Sequence, residues 1–237
     1  FFKKEKPTPY DEAVSLIWYL ENVFYHAASA IYNYVQQNIF ESEDLENDLI
    51  NLGFWPGGDR DGNPFVTTET TLKVAKRLRK TILINYYRDI RELKRRITFG
   101  NLQERIISIE RALYDNFTYA QSAEPITQVG LLQELSEIKK ELIEQHQSLF
   151  LDELQDVINK VKIFGFHFAT LDIRQDSRIH HQVVLSVVQK TRELGLKIFP
   201  DNYEDLSAEE QIDILTNVEG KLDPSVFDDD MVRATLE

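Results

Sequence analysis

Phe166-His167-Phe168-Ala169-Thr170-Leu171-Asp172-Ile173-Arg174 decides the architecture of this chain. Gly165 ends the helical pattern before it, and the apolar period drops to two. His167, Ala169, Leu171 and Ile173 share one face of the strand this spacing predicts, and Phe166, Phe168, Thr170, Asp172 and Arg174 share the other. One face is mainly apolar, and the other turns polar towards its C-terminal end. A lone strand cannot satisfy its own backbone groups. Either a sheet is completed within this chain or the partner strands lie beyond it; the second is expected, with one further short strand at Gly53–Trp55.

Everything around that strand reads as helix. Thr8 caps a long helix over Pro9–Gln37, with Pro9 at its first position and Asp11 near the positive end of the dipole. Its stripe is Val14, Ile17, Trp18, Phe24, Ala28, Ile31 and Val35, widened by Leu20, Val23 and Ala27, so packing on more than one side is expected. Glu41–Asp48 is acidic and suits a short helix. A second long helix starts at Thr67 or Thr68 and runs to Ile97, with Leu72, Ala75, Leu78, Ile82, Tyr86, Ile90, Leu93 and Ile97 on one face. Residues 71–97 carry ten Lys or Arg against Asp89 and Glu92, a pattern that suits a solvated face. Further helices are expected over Leu102–Tyr114, Val129–Leu149 and Asp152–Phe164. Ser177 offers a cap for a helix that Gly195 stops, and Ser207-Ala208-Glu209-Glu210 is a capping box. The tail from Gly220 reads as loose. The fold class is therefore mainly α-helical with one or two short strands. The regions are 7–50 helical, 53–66 glycine-rich loop, 67–164 helical, 165–177 strand and site loop, and 178–237 helix and C-terminal region, all within one piece, 1–237.

Composition narrows the function. There is no cysteine, which excludes a disulfide framework, thiolate-bound zinc and a cysteine nucleophile. It also suits a reducing compartment, the cytoplasm. Acidic residues outnumber basic ones 40 to 27, a net charge of −13, the wrong sign for a generic nucleic-acid binder. No run of 18 apolar residues is present, so no membrane segment is expected. Met231 is the only methionine, and the chain reads as a piece of a longer protein.

Two segments carry chemistry. Gly53-Phe54-Trp55-Pro56-Gly57-Gly58-Asp59-Arg60-Asp61-Gly62-Asn63-Pro64 lacks the Gly-Lys-Ser/Thr of a P-loop and the spacing of a dinucleotide fingerprint. Asp59, Asp61 and Asn63 copy the first ligands of a calcium loop, but Pro64 stands where such a loop needs glycine. What remains is a stiff loop in which Asp59 and Asp61 would hold Arg60 towards an anion, or a network that only locks a tight turn. Asp172 and Arg174, two apart at the strand's end, suit either an oxyanion site or a structural salt bridge. Of the five histidines, His26, His146 and His167 are isolated, and the adjacent His180 and His181 face different directions on a helix, so none sits in a metal-binding spacing.

Gly57-Gly58-Asp59-Arg60-Asp61-Gly62-Asn63-Pro64 resembles a signature of the phosphoenolpyruvate carboxylase family. Leu171-Asp172-Ile173-Arg174-Gln175-Asp176-Ser177 resembles a second, usually written with Glu where Asp176 stands. Pro7-Thr8-Pro9-x-Asp11-Glu12-Ala13 is similar to the segment before the first. The resemblance implies an internal fragment of an enzyme built around a helix-rich β/α (TIM-like) barrel. Such enzymes are homotetrameric, use Mg2+ or Mn2+, and carboxylate phosphoenolpyruvate with bicarbonate to give oxaloacetate and phosphate. By the same resemblance Arg174 binds the substrate phosphate, and Asp59, Arg60, Asp61, Asn63, Asp172 and Gln175 line or position the site. The family's Thr-x-His-Pro-Thr-Glu segment, metal carboxylates, catalytic lysine and mobile glycine-rich loop are missing from these residues. The resemblance therefore implies that the rest of the same polypeptide is the partner, that the fragment holds no metal, and that it is inactive alone. The alternative is a non-catalytic helical scaffold or interaction module.

Overall fold

The structure, a computed structural model, describes residues 6–40, 49–61, 63, 65–119 and 124–236. The expected helix at Glu41–Asp48 and the loop positions Gly62 and Pro64 lie outside the described residues. The chain forms two compact units. One is Phe1–Gly57 with Thr70–Asp172, and the other is Gly58–Glu69 with Ile173–Glu237.

The first unit opens with α1 (Pro9–Tyr19), capped by Thr8 in a box with Asp11. A π-turn over Leu20–Phe24 leads into α2 (Tyr25–Val35), and a second π-turn follows at Gln36–Phe40. A π-turn admits one extra residue. The buried series Ala13, Ile17, Leu20 therefore resumes five residues on, at Tyr25, and continues through Ala28, Tyr32 and Gln36. This corrects the expected stripe. Trp18, Val23, Phe24 and Ile31 are exposed, and no second packed face is present among the described residues.

β1 (Gly53–Phe54) precedes α3 (Thr68–Arg96), α4 (Gly100–Thr118), α5 (Gln128–Gln145) and α6 (Leu151–Phe164). In α3 the expected face holds from Leu78 onward. Its first two turns instead bury Thr71 and Val74, leaving Leu72 and Ala75 exposed. The basic side chains of α3 find separate partners: Arg88 pairs with Glu21, Arg95 with Glu92, and Arg96 with Glu153, while Arg79 lies over the Phe166 ring. In α5 the buried stripe is Leu131, Leu135, Ile138 and Leu142, with Leu132 only partly covered. α6 packs against α2 and α5, and α5 against α4.

Gly165, at φ 54°, ends α6 as expected. The nine-residue strand does not follow it. Phe166, Phe168 and Ala169 are all buried, and Phe168 adopts φ 69°. Its N–H donates to the Phe164 carbonyl at 3.0 Å. The core takes three of these four side chains at once, which a flat alternating strand cannot offer, so the chain turns. Only Thr170–Leu171 is strand (β2). It pairs in parallel with β1, Gly53 opposite Thr170 and Phe54 opposite Leu171. The short strand expected at Gly53–Trp55 is thus present and is β2's own partner, within the chain rather than beyond it.

A polar layer lies inside this unit. The Lys160 ammonium sits 2.9 Å from Asp89 and 2.8 Å from Asp156 and 4.9 Å above the Tyr25 ring. The Tyr25 hydroxyl donates to Asp89, and the Ser29 hydroxyl and the Asn33 side-chain amide both donate to Asp156. Burial, then the Asp89 charge, pushes the Tyr25 phenol well above its ordinary range. Burial works against both charges of the Lys160–Asp156 pair. The carboxylates nevertheless hold Lys160 above its usual value, and hydrogen bonds from Lys160, Ser29 and Asn33 hold Asp156 below its own.

The second unit contains α7 (Ser177–Glu193), α8 (Ala208–Asn217) and α9 (Asp230–Leu236). Asp176, not Ser177, caps α7, accepting from the Arg178 N–H. The Ser207 capping box opens α8 as read from the sequence. The tail is not loose. Val183 of α7 is buried with Phe227 and Val232, while Val188, Phe199 and Tyr203 form a second small cluster.

Candidate functional site

Six of the seven residues singled out from the sequence belong to the second unit. Arg174 is held there by its backbone: its N–H donates to the Gly58 carbonyl at 3.0 Å, and its own carbonyl accepts from Arg60 N–H at 2.9 Å. Asp59 stands opposite Arg174 in a parallel bridge. The guanidinium is fixed far less firmly. Its Nη1 lies 3.6 Å from Asp59 Oδ2, and its side chain is 62% exposed. At that distance the contact is an ion pair rather than a hydrogen bond. An exposed pair of this kind contributes under about 1 kcal/mol. The planar fork of Arg174 therefore remains able to grip a phosphate or carboxylate.

Arg60 has the opposite environment. Its Nη1 donates to the Ala234 carbonyl at 2.7 Å and its Nη2 to Thr68 Oγ1 at 2.9 Å, while Nε is buried without a partner among the described residues. This corrects the expectation that Asp59 and Asp61 hold Arg60. Asp59 faces Arg174 instead, and its Oδ1 accepts the Asp61 N–H at 3.2 Å. Asp61 is exposed. Asn63 builds the turn: Oδ1 accepts the Phe65 N–H, and its own N–H donates to the Arg60 carbonyl. Gln175 turns Oε1 back onto the Asp176 N–H.

Asp176 was read only as a departure from a signature. Its carboxylate accepts four hydrogen bonds from Arg178, from N–H and Nε on Oδ1 at 2.8 Å and 3.1 Å and from Nε and Nη2 on Oδ2 at 3.0 Å and 2.6 Å, and they hold it below the usual range, the side-chain bonds first and the backbone bond second. An aspartate before Ser-Arg at a helix start is a cap signal that the sequence did contain. Thr68 and Ala234, the partners of Arg60, were not singled out.

Asp172, the seventh residue, closes the first unit. Its N–H donates to the Phe54 carbonyl at 2.8 Å, and its carboxylate lies 3.6 Å from where a side chain on Gly53 would begin. Gly57 in the same unit has φ 83°, and a Cβ there would stand 2.5 Å from Val74 Cγ2. Only glycine suits that position. Among the described residues no group of three or more His, Asp or Glu side chains is arranged to hold a metal ion, and no helix is long and apolar enough to cross a membrane.

The family model described as phosphoenolpyruvate carboxylase matches residues 1–129 and 96–224. The chain is 29% identical over 254 residues to the phosphoenolpyruvate carboxylase of Shewanella loihica, covering 92% of this chain and 28% of that protein. It is 30% identical over 246 residues to that of Vibrio parahaemolyticus, covering 91% and 27%. To that of Nitrosomonas eutropha it is 29% identical over 213 residues, covering 70% and 22%. It thus spans between 22% and 28% of the length of these curated relatives. With the family model covering most of the chain, the chain belongs to the phosphoenolpyruvate carboxylase family.

Proposed function

We propose that these residues are an internal part of a phosphoenolpyruvate carboxylase and that Arg174 binds the substrate phosphate. The observation that carries this reading is the contrast within one backbone-pinned segment: Arg174 is exposed and loosely paired, whereas its neighbour Arg60 has both Nη atoms committed.

In the reaction, a bicarbonate oxygen attacks phosphorus and the bond from phosphorus to the enol oxygen breaks, giving carboxyphosphate and the enolate of pyruvate. Carboxyphosphate then splits into carbon dioxide and phosphate, and the enolate carbon attacks carbon dioxide to form oxaloacetate. Negative charge accumulates on the phosphoryl oxygens, and a positioned guanidinium stabilises it without reorganising. Asp59 orients that guanidinium. Asp61 and Asn63 shape the loop beside it, Gln175 shapes the start of α7, and Asp172 ends the strand that leads to Arg174. Mg2+ or Mn2+ in the parent enzyme would supply Lewis-acid stabilisation of the enolate oxygen. In this reading the ligands for that ion come from other parts of the parent.

The remaining polypeptide is the natural partner, and in this reading it covers the exposed apolar side chains Trp18, Phe24, Ile31 and Tyr34. The parent is a cytoplasmic homotetramer that feeds oxaloacetate to the tricarboxylic acid cycle. The test is steady-state kinetics of the intact parent carrying Arg174→Ala, with oxaloacetate measured by coupled reduction. A large fall in kcat/KM for phosphoenolpyruvate is expected, and unchanged kinetics would refute the role of Arg174. Oxaloacetate production by the purified 237-residue chain would refute the reading of these residues as an inactive part.

A further inference from the structure

We infer that Arg60 is a positioning residue, which sets the pose of Arg174 by tying the glycine-rich loop to the last turn of α9; the inference rests on the reading of Arg174 given above. The tie is specific. The Ala234 carbonyl of α9 accepts Arg60 Nη1 at 2.7 Å and the Thr68 hydroxyl at 3.2 Å. The same hydroxyl accepts Arg60 Nη2 at 2.9 Å. Guanidinium, hydroxyl and carbonyl thus form a closed triangle.

α9 is in turn fixed by its own burial, since Val232 packs with Val183 and Phe227. The anchor therefore rests on the core of the second unit rather than on another loop. Two residues of the loop transmit it. Arg60 N–H donates to the Arg174 carbonyl, and Gly58 accepts the Arg174 N–H, so the loop grips Arg174 from both sides of its peptide unit. Asp59, between those two residues, carries the carboxylate that faces the Arg174 guanidinium. Releasing the Arg60 side chain frees both the backbone clamp and the carboxylate that aims the fork. A guanidinium with both Nη atoms committed and a half-buried stem is not the one that meets substrate. The tie also gives the tail beyond Gly220 a purpose in the site.

The test uses the intact parent enzyme with Arg60→Ala, Arg60→Lys, Thr68→Val, Arg174→Ala and the double variant Arg60→Ala/Arg174→Ala. Kinetics are measured against phosphoenolpyruvate and bicarbonate separately. Arg60→Ala should lower kcat/KM for phosphoenolpyruvate by about 10- to 100-fold, the scale of an ångström-sized misplacement, and leave the KM for bicarbonate unchanged. Arg60→Lys should recover much of the loss, because an ammonium reaches the same two acceptors. The double variant should be no worse than Arg174→Ala alone, since Arg60 acts only through Arg174. Amide exchange at Arg60 and Arg174 should quicken in Arg60→Ala. Thr68→Val, which keeps the fold if Arg60→Ala does not, should move the same readouts in the same direction.

Additive losses in the double variant would mean that Arg60 meets substrate itself, and would overturn the inference. So would wild-type kinetics and exchange in both Arg60→Ala and Thr68→Val. Failure of the underlying reading shows separately, as unchanged kinetics in Arg174→Ala alone, and the positioning role then falls with it.

Discussion

Replacing Lys160 by Met tests what holds α6 in the first unit. Met keeps the volume of the stem and removes the charge. In the native chain the ammonium lies 2.9 Å from Asp89 and 2.8 Å from Asp156, with its side chain 8% exposed and theirs 19% and 32%. Taking one partner from a fully buried ion pair costs about 3 to 5 kcal/mol. Water still reaches Asp156, so the low end, about 3 kcal/mol, is expected. The pH dependence has a definite sign. Asp156 is held below its ordinary 3.8, so its contribution is complete above that value and is lost as pH falls through the lower folded value. Lys160 is held above its ordinary 10.5, so its contribution is complete below that value and is lost as pH rises through the higher folded one. Between these limits the native pair contributes a constant amount. In Lys160→Met the burial of Asp156 is no longer offset by a cation, and protonation favours the folded state. The deficit should therefore shrink between about pH 7 and about pH 5. Urea titration of the 237-residue chain, followed by circular dichroism at both pH values, measures it. A loss under about 1 kcal/mol at neutral pH, or an equal loss at both, would refute this account of the layer.

Three further outcomes are expected. Gly57→Ala should cost about 2 to 3 kcal/mol, because φ is 83° and the new Cβ meets Val74 at 2.5 Å; adding Val74→Ala should recover only the steric part, since the backbone strain stays. Tyr86→Phe should cost about 1 to 2 kcal/mol in the same titration, because its buried hydroxyl donates to the Gly165 carbonyl at 2.6 Å and would leave that acceptor unpaired. Asp59→Asn in the intact parent should raise the KM for phosphoenolpyruvate by no more than about fivefold, the equivalent of about 1 kcal/mol for an exposed pair, and a loss as large as that of Arg174→Ala would mean that Asp59 does more than orient.

The elements that were legible in the sequence announce themselves locally. Thr8 with Asp11, Ser207 with Glu210, and Gly165 are signals written within one turn of the chain, and each stands where it was read. The errors share a different cause. The π-turn at Leu20–Phe24 slides the buried face by one residue, and a fixed 3.6-residue period has no way to register that slip. Phe168 enters the left-handed region because the core needs Phe166, Phe168 and Ala169 together, a tertiary demand that a two-residue period mimics. The tail shows no period in the letters because Val232 sits in a seven-residue helix and Phe227 in no helix or strand. In the site, Asp59, Arg60 and Arg174 were visible as residue types, but the Arg60 anchor was not. Its partner is a backbone carbonyl 174 positions away, and a carbonyl leaves no mark in the letters.

On the proposed reading of Arg174 as the phosphate-binding residue, the two arginines divide two tasks. Arg60, the arginine that serves the fold, commits both Nη atoms to a hydroxyl and to a backbone carbonyl of α9, neutral groups that do not demand a second charge. An arginine reserved for a ligand must be aimed without being consumed. A bidentate carboxylate at hydrogen-bond distance would aim Arg174 but would also compete with a phosphate for the same fork. At 3.6 Å in solvent, Asp59 biases the side chain while leaving its donors free, and the incoming phosphate has little to displace. The precision lost in the side chain is restored in the backbone, where Gly58 and Arg60 hold Arg174 from both sides. A loop with less rigid glycine geometry would have to fix the guanidinium directly and would weaken the site it was meant to build. The tightly bonded arginine and the loosely paired one are therefore two halves of one arrangement, the first supplying the rigidity that lets the second stay open to substrate.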